Sequence, residues 1–97
     1  MTLYVGDTLP NLTGTCTSSS GTVNGTGATC VAHILRPDGT TLSKAVTVSA
    51  TGTWSVTWAV GDLNVQNNYQ VEIEVTFSPG NIQTFGGGTF YVGPQIA

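Results

Sequence analysis

The sequence predicts an all-β chain, a single antiparallel β-sandwich of about seven short strands, and three observations predict it. No long stretch keeps its apolar side chains at the 3.6-residue spacing of a helix. Short runs with an apolar residue at every second position recur instead, divided by Gly, Pro, Asn and Asp clusters every 8–12 residues or so. The alternation also argues for antiparallel strands wet on one face, because strands of a parallel sheet are apolar on both. A small closed barrel is the other architecture that this pattern allows.

Each element has its own justification. Residues 2–7 (TLYVGD) read as a first strand, stopped by the Pro10–Asn11 turn signal. Residues 28–37 (ATCVAHILRP) read as another, with Cys30, Ala32 and Ile34 on one face and Val31, His33 and Leu35 on the other. PDGT (37–40) reverses the chain, since proline presets φ and Asp-Gly tolerates a tight turn. Residues 42–49 (LSKAVTVS) carry Val46 and Val48 on one side, and ATGT (50–53) turns into WSVTWAV (54–60). There Trp54, Val56, Trp58 and Val60 share a face, and Gly61-Asp62 closes the strand. Residues 67–77 alternate most cleanly: Tyr69, Val71, Ile73, Val75 and Phe77 point one way, Gln70, Glu72, Glu74 and Thr76 the other. An SPGN turn (78–81), IQTF (82–85), a triple glycine and TFYV (89–92) complete the chain. The expected core is therefore Trp54, Val56, Trp58, Tyr69, Val71, Ile73, Val75 and Phe77.

One region breaks the rhythm. Residues 12–30 are almost entirely Thr, Ser, Gly and Asn, with Val23 the only large apolar side chain after Leu12. The insert at about 14–29 reads as a long loop or a weak hairpin, because it buries too little surface to order itself unaided.

Composition bounds what such a domain does. Ninety-seven residues make one domain with one modest core. Only 7% of the residues are charged, where an average domain has about 25%. A weakly charged surface repels its neighbours poorly, which suits a molecule packed against others. The net charge is −3 with two cations in all, too few to neutralise a nucleic-acid backbone. No apolar run approaches the roughly 20 residues of a membrane span. The start MTLYVGDTLP lacks the basic and apolar blocks of a signal peptide, which predicts a chain made and kept in the cytoplasm or released by lysis.

No constellation points firmly to chemistry. Cys16 and Cys30 flank the insert, either as a disulfide or as two free thiols; closing that loop would stabilise the fold by about 3 kcal/mol. His33 is the only histidine and no CxxC occurs, so a zinc site lacks ligands. His33 and Cys30 lie three apart on a strand and face opposite ways, which disfavours a Cys–His nucleophile. Glu72 and Glu74 share a face with carboxylates roughly 6–7 Å apart. That spacing could serve glycoside hydrolysis, yet a small sandwich rarely supplies the cleft, and a solvated or partner-facing row is the simpler reading. Asp7, Asp38 and Asp62 read as turn-makers. Trp54 and Trp58 share a face, where core packing competes with a sugar-binding platform. NLT (11–13) and NGT (24–26) match the glycosylation sequon by accident of a Thr-rich chain. No cofactor, metal or catalytic residue is expected.

The order of the motifs carries more than any one of them. GDT followed by LTG, a strand ending LRPDGT, GTWSVTWAVGDL, YQVEIEVTFSPGNIQTF and a closing GTFYV resembles a family of phage structural domains. These are the immunoglobulin-like modules at the N-terminus of tailed-phage baseplate upper proteins and in small virion proteins. The matching positions are Trp58, Gly61, Asp62, Tyr69, Val71, Glu72, Val75, Thr76, Phe77, Gly80, Gln83, Thr84 and Phe85, and the likeness covers residues 3–13 and 28–92. It leaves the Cys-bounded insert unexplained, and the coil and second domain of baseplate upper proteins have no counterpart here. The resemblance implies an immunoglobulin-like β-sandwich acting as a virion protein, made in the host cytoplasm. Foremost it implies a capsid decoration protein docking on the major capsid protein, as a homo-oligomer or symmetric array. A tail, neck or baseplate accessory is the alternative, and a carbohydrate-binding adhesion module is the alternative of another class. The row Gln70, Glu72, Glu74 and Thr76 is the expected partner-facing surface.

Overall fold

The computed structural model describes residues 3–18, 21–77 and 80–94, so Ser78 and Pro79 of the expected SPGN turn lie outside the described residues. The described residues are all-β, with no helix. In chain order the strands are β1 (Leu3–Tyr4), β2 (Leu12–Thr15), β3 (Thr17–Ser18), β4 (Gly21–Thr22), β5 (Thr29–Leu35), β6 (Thr41–Val46), β7 (Thr53–Val56), β8 (Asn67–Thr76) and β9 (Ile82–Gly93). Five of them form one sheet in the order β1-β9-β8-β5-β6, while β2 pairs with β7 and β3 with β4. Every pairing is antiparallel except β1 with β9, which is parallel. The sheet is therefore mixed, a correction to the purely antiparallel expectation. A strand of two residues at the edge can run either way without a crossover helix.

Alternation decides which side of the large sheet is dry. Cys30, Ala32 and Ile34 of β5 and Tyr69, Val71, Ile73 and Val75 of β8 are buried, and they join Leu12, Trp54 and Val56 of the β2–β7 pair in a single core. Fully burying a side chain such as Ile34 or Ile73 stabilises the fold by about 1.5–3 kcal/mol. Phe77 departs from its expected place, lying half-buried against this core.

Trp54 is one of two tryptophans in that core, and glycines make room for it. A Cβ at Gly14 would stand 2.4 Å from the indole, and one at Gly87 would stand 2.7 Å from Val71 and 3.2 Å from the indole. Gly87 is the extra residue of a β-bulge, since Val71 pairs with Gly88 and Glu72 with Gly86. The triple glycine therefore does not separate two strands, as its composition suggests. It lets one long strand, β9, run past Trp54.

Three other boundaries differ from the expectation. The first strand ends at Tyr4, where the Asp7 carboxylate accepts the Tyr4 N–H at 3.0 Å and starts a turn. The tryptophan strand stops at Val56, leaving Val60 90% exposed although Trp58 stays buried. The insert begins later than residue 14, because Gly14 and Thr15 belong to β2, and the β3–β4 hairpin occupies part of the remainder.

Candidate functional site: the open face and free edge of the large sheet

The charges are few, and the two cations are drawn to one place. Asp62 follows the tryptophan segment and is buried. Its carboxylate accepts the Ala59 N–H at 2.7 Å and pairs with Lys44, whose ammonium reaches in from β6. Arg36, from the β5–β6 turn, donates its Nε–H to the Asp62 carbonyl at 3.1 Å. Burial alone would raise the Asp62 carboxyl, but the Lys44 hydrogen bond, the Ala59 N–H and the charges of Lys44 and Arg36 outweigh it and hold it below the usual range. The Lys44 ammonium also lies 6.0 Å from the centre of the Trp58 ring. Asp62 is thus more than the turn-maker expected of it. Asp38 does make a turn, accepting the Thr40 N–H at 3.0 Å and its hydroxyl at 2.6 Å.

With Lys44 turned inward, the outer face of the large sheet keeps the acids. Register places Ser43, His33, Glu72 and Gly86 in one row across β6, β5, β8 and β9, and Ala45, Val31, Glu74 and Thr84 in the next. His33 Nδ1 lies 3.1 Å from Ser43 Oγ, and its Nε2 lies 3.7 Å from Glu74 Oε1. A serine, a histidine and a carboxylate in a row suggest a nucleophile triad, but this one sits on a solvent-exposed face. The His33 and Glu74 side chains are 41% and 39% exposed, so no dry site strengthens their electrostatics. Beside the row lies an open depression of about 200 Å³ lined by His33, Ile34, Leu35, Thr41, Gln70 and Glu72.

The sequence-predicted site residues thus separate onto two sides. Gln70 and Glu72 are exposed, and Glu74 and Thr76 half-buried, on the outer face. Trp54 and Trp58 are buried on the other side of the sheet and offer no ring face to a sugar. The glutamates and tryptophans therefore line no common hollow. Cys16 and Cys30 are both buried thiols, and no three His, Cys, Asp or Glu side chains among the described residues converge to hold a metal.

Sequence reasoning missed two surfaces. The first is the free edge of β9. Residues 67–77 form β8, between β9 and β5. The edges lie elsewhere. β6 is one of them, a short strand carrying the inward-turned charge of Lys44, a feature that discourages edge-to-edge pairing. β1 is the other, and it pairs only with Val92 and Gly93 of β9, so among the described residues Ile82–Tyr91 pair with β8 on one side and with no strand on the other. The twelve residues of β9 include no charge and no proline. The second surface is a pair of tyrosines. Tyr4 and Tyr91 are 44% and 54% exposed, and both rings reach over Gly93. Edge position and ring adjacency come from strand pairing, so the only local signal was the absence of charge from 82–93.

No protein-family model, curated protein or solved structure matches the chain.

Proposed function

We propose that this chain is a structural protein of a tailed-phage virion, a capsid decoration protein built on an immunoglobulin-like sandwich. The observation that carries the docking mode is the uncharged, unpaired edge of β9. An extended segment of a neighbouring shell subunit can add to that edge through backbone hydrogen bonds. The outer-face row Gln70, Glu72, Glu74 and Thr76 then lies beside the contact and supplies acids for a complementary partner. Copies arrayed on a symmetric shell need only weak individual contacts, because neighbouring attachments raise the effective concentration.

Two features support the immunoglobulin-like reading. The succession β6-β5-β8-β9, with a short parallel strand beside the last, matches the C′CFG sheet of variable-type domains. Tyr69 opens the buried run of β8, and its hydroxyl donates to the Val65 carbonyl at 2.6 Å and accepts the Val65 N–H at 3.1 Å. This bond back to the preceding loop resembles the tyrosine corner of such folds.

Purified particles test the proposal. The chain is expected in a fixed ratio to a shell protein, and Thr84→Lys, which places a guarding charge on the β9 edge, is expected to lower occupancy while leaving Tm unchanged. A fixed ratio to a tail or neck protein would move the assignment to that organelle. Absence from purified infectious particles would end it.

The exposed tyrosine pair favours a second reading, a carbohydrate-binding adhesion module, in which Tyr4 and Tyr91 stack on a sugar ring. Glycan binding lost in Tyr91→Ala with Tm retained would support it. Glycan arrays bare of signal for the wild type would remove it.

A further inference from the structure

We infer that the open edge of β9 pairs with the same edge of a second copy of this chain, the two strands running antiparallel about a two-fold axis perpendicular to the sheet. The slot has fixed ends. It opens at Ile82, where β9 begins, and closes after Tyr91, because Leu3 of β1 holds the place beside Val92. A second β9 fills it with its own Ile82–Tyr91 when Ile82 meets Tyr91, Gln83 meets Phe90, Thr84 meets Thr89 and Phe85 meets Gly88 across the axis. No residue of the second strand then has to take the place of Leu3.

The side chains agree with that register. Pairing with β8 sets Ile82, Thr84, Thr89 and Tyr91 opposite Thr76, Glu74, Gln70 and Asn68 on the outer face. It sets Gln83, Phe85, Gly88 and Phe90 opposite Val75, Ile73, Val71 and Tyr69 on the inner one. Each of the four pairs thus joins residues of one face, as an antiparallel ladder requires. On a regular strand Ile82 and Tyr91, an odd number of residues apart, would point to opposite faces. The bulge at Gly87 supplies the extra residue that brings them to the same one. A bulge ordinarily spoils an edge for pairing. Here two bulges meet on the axis, where Gly86 and Gly87 carry no side chains to collide, and the ladder divides into two equal arms.

The chemistry of the edge is also that of a self-contact. Ile82 and Tyr91 are 63% and 54% exposed, and the two-fold covers each with the other twice, as aromatic and β-branched cross-strand pairs. No charge lies on β9, and the nearest acids stand one strand back on β8. Three strand spacings, roughly 14 Å, then separate the acids of the two copies, more than the screening length of about 8 Å at physiological salt. The row from Glu74 through Thr84 continues into Thr89 and Gln70 of the second copy, so no acid is aligned with an acid. The net charge of −3 therefore does not oppose the pairing.

The pairing uses the edge on which the proposed docking also rests: free copies cover it for one another, and a shell segment takes the second copy's place on the particle. Its test needs only the purified full chain. Light scattering across a dilution series from millimolar to micromolar chain is expected to fall from twice the chain mass towards the 10.0 kDa of one chain. Thr84→Lys is expected to hold the lower mass throughout, with the Tm of dilute protein unchanged. Register is read by cysteines. Thr84→Cys mixed with Thr89→Cys is expected to give a disulfide-linked dimer on oxidation, whereas neither variant alone does, nor the wild type with its buried thiols. Like positions lie roughly 15 Å apart in this register, beyond the reach of about 7 Å that a disulfide allows. A single-chain mass at every concentration, a dimer unchanged by Thr84→Lys, or cross-linking of Thr84→Cys by itself would overturn the inference. If Thr84→Lys fails to fold, the cysteine pair decides alone. A monomer leaves the shell docking standing, and a dimer absent from particles removes the virion reading but not the pairing.

Discussion

Replacing Asp62 by Asn keeps the side chain's shape and removes its charge, leaving the Lys44 ammonium without an anion. The size of the effect follows from burial. The Lys44 and Asp62 side chains are 19% and 12% exposed, so solvent screens the pair far less than it screens His33 and Glu74 at 41% and 39%. Breaking a buried pair costs about 3–5 kcal/mol, and the residual exposure places Asp62→Asn near 3 kcal/mol. For a domain of this length that is a fall in Tm of roughly 12 °C or more. Lys44→Met with Asp62→Asn removes both charges and is expected within about 1 kcal/mol of the wild type. Urea melts of the two single variants, the double variant and the wild type give the coupling energy. The pH dependence adds an independent check. The folded Asp62 carboxyl is held below its ordinary value, so its stabilisation is complete above the unfolded value of about 3.9 and is lost as the pH falls through the lower folded value. The deficit of Asp62→Asn is therefore expected to shrink in acid. A cost below about 1 kcal/mol, the range of an exposed pair, or a double variant as unstable as Asp62→Asn, would refute the reasoning.

Other perturbations read other parts of the fold. Tyr69→Phe removes the hydroxyl that serves both Val65 groups and is expected to cost about 1–3 kcal/mol in a urea melt. Gly14→Ala drives a methyl group into the Trp54 indole and is expected to cost about 1–3 kcal/mol, with the tryptophan fluorescence of the native state altered. Glu72→Gln with Glu74→Gln is expected to leave stability within about 0.5 kcal/mol. The same double variant is expected to weaken attachment to particles; undiminished attachment would take the outer-face row out of the contact.

Patterning with a period of two is a local property, and it survives folding wherever one side of a strand is dry. Residues 67–77 show this: the alternation of Tyr69, Val71, Ile73 and Val75 with Gln70, Glu72 and Glu74 is the alternation of buried and wetter side chains across β8. The same logic fails where the chain leaves the sheet. Val60 keeps the period of Trp54, Val56 and Trp58 but is exposed, because β7 ends at Val56. The glycines at 86–88 read as a break, since a sequence carries no record that a bulge and a tryptophan on another strand require them.

What the sequence determined by itself was the all-β class, the turns at Asp7 and Asp38, and which face of each regular strand is apolar. These depend on neighbours a few residues away. Tertiary structure alone decided that β8 is central and β9 open, that β1 runs parallel to β9, and that the glutamates and tryptophans lie on opposite sides of the sheet. It also drew Lys44 and Arg36, 18 and 26 residues away, to Asp62. Strand order and charge pairing are long-range outcomes, set by how well whole surfaces pack and by which charges lose their water together, and no local pattern encodes them.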